Sequence, residues 1–175
     1  MKTNKLRQMV FAALIAAVYA AVTLALSPIS YGNIQIRLSE ALTLLPVVFA
    51  PSVAGITLGC FLANLFGAMM GLNILGYLDC VIGTLATFLA AVLTRKMAHI
   101  QIKGIPWISV LMPVLINMVF IGAELAYALM PNAFLEGFIL FGLEVGIGEF
   151  IAVAVFGIPL VKALKKSKLK DRFGL

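Results

Sequence analysis

The chain is 175 residues long, 63% hydrophobic and 11% charged, with a net charge of +6. A mean hydropathy of +1.12 excludes an ordinary soluble domain, which is typically about half apolar and a quarter charged. The length suits one compact unit of roughly six membrane spans of about 20 residues with short loops.

The expected fold class is an all-α integral membrane protein: one transmembrane domain over 1–175 with six helices, near 6–26, 37–50, 51–71, 74–97, 105–130 and 134–166. The first apolar run is too long for a signal-peptide core, and Ser27-Pro28 begins a turn rather than a cleavage site. It carries an alanine ladder, Ala13, Ala17, Ala21 and Ala25, with Ala12, Ala16 and Ala20 alongside. Small residues at that spacing let another helix backbone come close, either within the bundle or on a second membrane protein. The second span is short and contains Pro46, so the stretch Ser27 to Ile36 is expected to cover part of the outer side as a lid. Pro51 opens the third span, and Pro106, Pro113, Pro131 and Pro159 punctuate or kink the later ones. Cys60 and Cys80 lie in apolar segments without metal-ligand spacing, so no metal site is expected.

Charge sets the orientation. Lys2, Lys5 and Arg7 precede the first span, and Arg95, Lys96 and Lys103 fill the loop after the fourth. Lys162, Lys165, Lys166, Lys168, Lys170 and Arg172 close the chain. Six spans put all three clusters on one side, and the positive-inside rule makes both termini cytoplasmic. The opposite side then carries Arg37 as its basic residue.

The acidic residues fall on that opposite half. Glu40, Asp79, Glu124, Glu136, Glu144 and Glu149 lie within or at the outward edge of apolar segments; Asp171 alone sits in a plainly soluble stretch. A carboxylate inside a bilayer is costly and usually faces an internal cavity. At about 1.5 Å per residue, Glu149 lies roughly 20 Å from Lys162, just outward of the midplane. A carboxylate accepts paired N–H donors from a guanidinium or a guanine-like edge, and a second one balances an ammonium. Glu144, Glu149, Asp79 and Glu124 are therefore candidate ligand groups. Arg37 and Glu40, three apart, are either ligand groups or a structural ion pair. Glu136 is expected in solvent. Asn64 and Asn117 would orient a ligand or bond a neighbouring helix, and Asn117 shares a helix face with Glu124. Tyr31, Asn33 and Gln35 sit in the lid.

Several chemistries are absent from the sequence. There is no phosphate-binding GxxxxGKS/T loop and no HExxH, and the lone His99 lies at the cytoplasmic edge. No enzyme activity, cofactor or nucleic-acid partner is expected.

The stretch Ile34 to Gly67 carries a distinctive series: Arg37-Leu38-Ser39-Glu40-Ala41-Leu42, Leu45-Pro46, then Pro51, Gly55, Gly59 and Asn64. It resembles the substrate-binding, or S, components of energy-coupling factor transporters, and within them the QueT family, assigned to uptake of queuosine precursors. The resemblance covers essentially the whole chain. It implies an S-component bundle that binds a 7-deazaguanine, such as 7-aminomethyl-7-deazaguanine or queuine, from outside. It also implies docking through helix 1 alanines to a transmembrane coupling protein with two ATPase subunits, which drive uptake. Two registers fit that docking, Ala13 with Ala17 or Ala12 with Ala16. Rival readings are another vitamin or purine-like cargo on the same scaffold, a proton-coupled exporter of organic cations, and a membrane scaffold with structural carboxylates.

Overall fold

A bilayer core admits backbone only where its own hydrogen bonds are closed, which favours helices. The computed structural model, which describes residues 2–31 and 36–167, consists of them. Helix α1 spans Lys2–Ala25, the single turn α2 Ser27–Ser30, α3 Ser52–Met69, α4 Leu78–Lys96 and α5 Trp107–Leu129. Helix α6, Phe134–Phe150, runs through a π-helical stretch, Ile151–Gly157, into α7, Ile158–Lys166. Five helical stretches are long and apolar enough to cross a membrane, and Leu38–Val47 forms a shorter sixth. Among the described residues no β-strand occurs, only an isolated bridge between Ile102 and Ile105. The all-helical membrane architecture read from composition is the architecture observed.

The second span differs from the expected α-helix. Leu38–Val47 is a ten-residue 3-10 helix, whose rise of about 2.0 Å per residue gives it roughly 20 Å of reach. Pro46 removes one backbone donor, and the Thr43 hydroxyl donates to the Glu40 carbonyl at 2.6 Å. Both favour contacts three residues apart over four. Long 3-10 runs are uncommon, and this one is enclosed: Ser39, Glu40, Ala41, Thr43, Leu44, Leu45 and Pro46 are all buried.

The last span bends for a related reason. Pro159 has no N–H for the Val155 carbonyl and would crowd it, and the turns before it widen to π geometry. This brings Gly157 against the 3-10 helix, where an added Cβ would lie 2.9 Å from the Ala41 carbonyl oxygen. The whole stretch Pro131–Lys166 is 36 residues, about 54 Å at helical rise. That exceeds a 30 Å hydrocarbon core, so its lysine-bearing end projects beyond the bilayer.

The basic ends gather at one end of the bundle. Arg95 donates to the Pro46 carbonyl at 3.1 Å, Lys165 lies beside Val47 and Val48, and Phe11 packs on Phe49 at 5.0 Å. Thr94 and Ser109 exchange hydroxyl-to-carbonyl bonds of 3.1 and 2.9 Å, closing the α4–α5 connection at that end.

Helix α1 uses only one of its two alanine rows internally. An added Cβ at Gly55 would meet the Ala12 carbonyl oxygen at 2.6 Å, and one at Gly59 the Ala16 carbonyl oxygen at 2.9 Å. Ala12 and Ala16 are thus pressed on α3, whereas Ala13, Ala17, Ala21 and Ala25 are exposed. Replacing Gly59 by Leu should overpack this contact by about 1–3 kcal/mol, a fall of roughly 2–12 °C in the thermal midpoint for a domain of this size. Differential scanning fluorimetry in detergent checks this, with Ala13→Leu expected to leave the midpoint unchanged.

Candidate functional site

The polar interior is organised around one ion pair. Arg37, at the start of the 3-10 helix, places Nη2 2.6 Å from Asp79 Oδ2 at the start of α4. Their side chains are 7% and 0% exposed. Further hydrogen bonds meet part of the capacity of this buried pair, while Asp79 Oδ1 has no partner among the described residues. Arg37 Nε donates to the Ser30 carbonyl at 3.4 Å, and the guanidinium lies over the Tyr31 ring, 5.3 Å from its centre. Asn73 Nδ2 donates to Asp79 Oδ2 at 2.8 Å, and Asn64 Nδ2 to the Asp79 carbonyl at 2.8 Å.

The turn between α3 and α4 makes the Asn73 contact possible. Gly71 and Gly76 take positive φ of 69° and 60°, the left-handed region that glycine enters at low cost. Between them Asn73 Oδ1 accepts from the Leu75 N–H at 3.0 Å, a local turn that aims its amide at Asp79.

A second set of groups meets beside this pair. Arg37, Glu40, Gly83, Thr87, Asn117, Ile121, Val145 and Glu149 line a small cavity of about 10 Å³, room for about one water. Arg37 stands at the N-cap of the 3-10 helix with extended backbone, and Glu40 lies in its first turn. Glu40 Oε1 accepts from the Tyr19 hydroxyl of α1. The Glu149 carboxyl lies against the Glu40 carboxyl and the Asn117 amide. Glu40 Oε2 and Glu149 Oε1 are buried without a partner among the described residues. Such orphaned oxygens are expensive unless donors arrive.

The structure sorts the candidates named from sequence. It brings Arg37, Glu40, Asn117 and Glu149 to one cavity, with Asp79 behind Arg37. Arg37 pairs with Asp79 rather than with Glu40. Asn64 joins α3 to α4 and points its unpartnered Oδ1 elsewhere. Tyr31 is buried, donates to the Ala63 carbonyl at 2.7 Å and stacks on Arg37, so it props the guanidinium. Glu124 is buried on a different cavity. Glu144 is half-buried with one unpartnered oxygen and lines neither cavity, while Glu136 is exposed. Gln35 and Asn33 lie outside the described residues.

Three contributors were not singled out from the sequence: Tyr19, Asn73 and Thr87. Tyr19 had a signal, since a buried tyrosine hydroxyl in an apolar span needs a partner. Asn73 had only its place between two glycines, and Thr87 none beyond being polar in an apolar helix.

The profile of the QueT transporter family matches residues 9–166. A protein described as queuosine precursor transporter QueT, from Lactococcus lactis subsp. cremoris, is 33% identical over 89 residues. The aligned part is 50% of this chain and 48% of that protein, so the chain spans about half the length of that relative. No solved structure matches the chain.

Truncating one member of the ion pair should cost about 3–5 kcal/mol, whereas replacing both with apolar residues should be far milder. Arg37→Met alone is expected to be strongly destabilised, and Arg37→Met with Asp79→Leu to regain most of the loss. Unfolding in detergent measures the cycle; additive losses would mean that the two charges do not stabilise each other.

Proposed function

The chain belongs to the QueT transporter family, and from that premise we propose that it captures a queuosine precursor, a 7-deazaguanine carrying an ammonium, for uptake across the membrane. The observation that carries this reading is the pair of buried carboxyls, Glu40 and Glu149, each with an orphaned oxygen on one cavity. Deazaguanine presents an amide N–H beside an exocyclic amine, a donor pair that one carboxylate accepts side by side. The second carboxylate then meets the ammonium. Arg37 is already neutralised by Asp79, so a cation entering this space finds negative charge left over. Asn117 offers both a donor and an acceptor for the base carbonyl or ring nitrogen.

At about 10 Å³ the cavity is far smaller than a bicyclic base. Binding therefore requires its walls to part, and the 3-10 helix and the π-bent end of α6 are the two irregular elements among them. With the basic end of the bundle cytoplasmic by the positive-inside rule, the carboxylate-rich end faces outward, where the precursor arrives.

In this reading the chain is the S component of an energy-coupling factor importer. ATP chemistry belongs to two ATPase partners, reached through a transmembrane coupling protein. The exposed Ala13 and Ala17 are the docking row, since Ala12 and Ala16 are engaged with Gly55 and Gly59.

Two measurements test these assignments. In calorimetry, detergent-purified protein should bind 7-aminomethyl-7-deazaguanine one-to-one and discriminate against guanine. Glu149→Gln and Glu40→Gln should each weaken binding by about tenfold or more, the scale of one charge-assisted contact; unchanged affinity in both would remove these carboxyls from the site. In cells carrying the partner subunits, Ala13→Trp with Ala17→Trp should abolish uptake and leave calorimetric binding intact. Uptake at the normal rate would move the docking face elsewhere.

A further inference from the structure

Glu124 is a buried acidic group that the capture site does not use. It is 3% exposed, and neither of its carboxylate oxygens has a partner among the described residues. It lies on a groove of about 490 Å³ formed by α4 and α5 and reaching the start of α6, within the size range of small-molecule sites. Apart from that carboxyl the groove is hydrophobic and aromatic, with Leu78 and Ile82 from α4, and Phe120, Tyr127 and Phe134 from α5 and α6, among its lining. Tyr127 is 68% and Phe134 45% exposed, so the groove opens sideways at the bundle surface, where α4 and α5 meet the lipid. Five residues separate Glu124 from the end of α5 at Leu129, about 8 Å along the helix. That depth is within reach of a lipid headgroup drawn below the interface.

A lone carboxyl in an apolar groove calls for a cation on an apolar body. Ring faces attract ammonium groups as well, and a carboxylate ringed by aromatics is a recurrent way of holding one. The nearest guanidinium, Arg37, is already committed to Asp79. We propose that this groove binds the ammonium headgroup of a membrane lipid, the nitrogen against Glu124 and the acyl chains passing Val119 toward the bilayer centre. Phe120, Tyr127 and Phe134 shield the ammonium from water. The site is separate from the capture cavity and does not depend on what that cavity carries.

Native mass spectrometry of the full-length protein in detergent tests this with two lipids of matched chains, phosphatidylethanolamine and phosphatidylglycerol. Both carry a phosphate, so the comparison isolates the ammonium. Phosphatidylethanolamine should be retained at about tenfold lower concentration, the scale of one ammonium–carboxylate contact. Glu124→Gln should erase that preference. Should that variant fail to fold, Tyr127→Ala, a change at an exposed position, should reduce it several-fold. Equal retention of the two lipids, or a preference that survives both substitutions, would overturn the site. Displacement of the bound lipid by 7-aminomethyl-7-deazaguanine at one-to-one stoichiometry would assign the groove to the cargo and overturn it equally.

Discussion

The bundle is organised around one buried guanidinium. Arg37 is the basic residue that the chain places at the acidic end, and its pairing with Asp79 at 2.6 Å ties the start of the 3-10 helix to the start of α4. An ion pair out of water is stable only inside a set of further hydrogen bonds. That requirement recruits Asn73 from the α3–α4 turn, the Ser30 carbonyl and the Tyr31 ring. Four separate pieces of chain converge for the sake of one charge. The glycines that shape the α3–α4 turn follow from the same demand, because Asn73 must double back to reach Asp79.

The irregular helices follow from where the carboxyls must point. Arg37 stands at the N-cap with extended backbone, φ −84° and ψ 99°, Glu40 lies in the first turn of the 3-10 helix, and both line one cavity. On the opposite wall, Glu149 sits two residues before the π-helical stretch that lets α6 approach the 3-10 helix. Two departures from α geometry therefore face each other across the cavity where the Glu40 and Glu149 carboxyls meet. Under the proposed capture role, these two elements are the walls that part to admit a base.

Much of this was legible in the sequence, and the boundary has physical causes. Apolar run length and the basic clusters carry the helix count, because a bilayer imposes both. The acid-rich end was legible because carboxylates in apolar segments are penalised and so must have a purpose. Pairing was not. Arg37 with Glu40 satisfied a local spacing rule, whereas the actual partner, Asp79, lies 42 residues away and is chosen by tertiary packing. Ala12 and Ala13 were equivalent as letters; only the contact of α3 glycines with Ala12 and Ala16 distinguishes an inner row from an outer one. The switch to 3-10 geometry had Pro46 as its sole cue, and a single proline does not determine which helix type surrounds it.

Under the proposed capture role, charge balance would give this cavity its selectivity. Asp79 cancels Arg37, which leaves Glu40 and Glu149 facing each other with Tyr19 and Asn117 as their hydrogen-bonding company. Like charges at close range repel strongly in low dielectric, so two adjacent carboxylates in a dry site favour an incoming cation. A neutral base such as guanine satisfies one of them through its paired donors and leaves the other as it was. A base that also bears an ammonium answers both, and gains an attraction that its neutral analogue lacks. Discrimination between such ligands then rests on one charge in a water-excluded space, where removing a partner costs far more than at a wet surface.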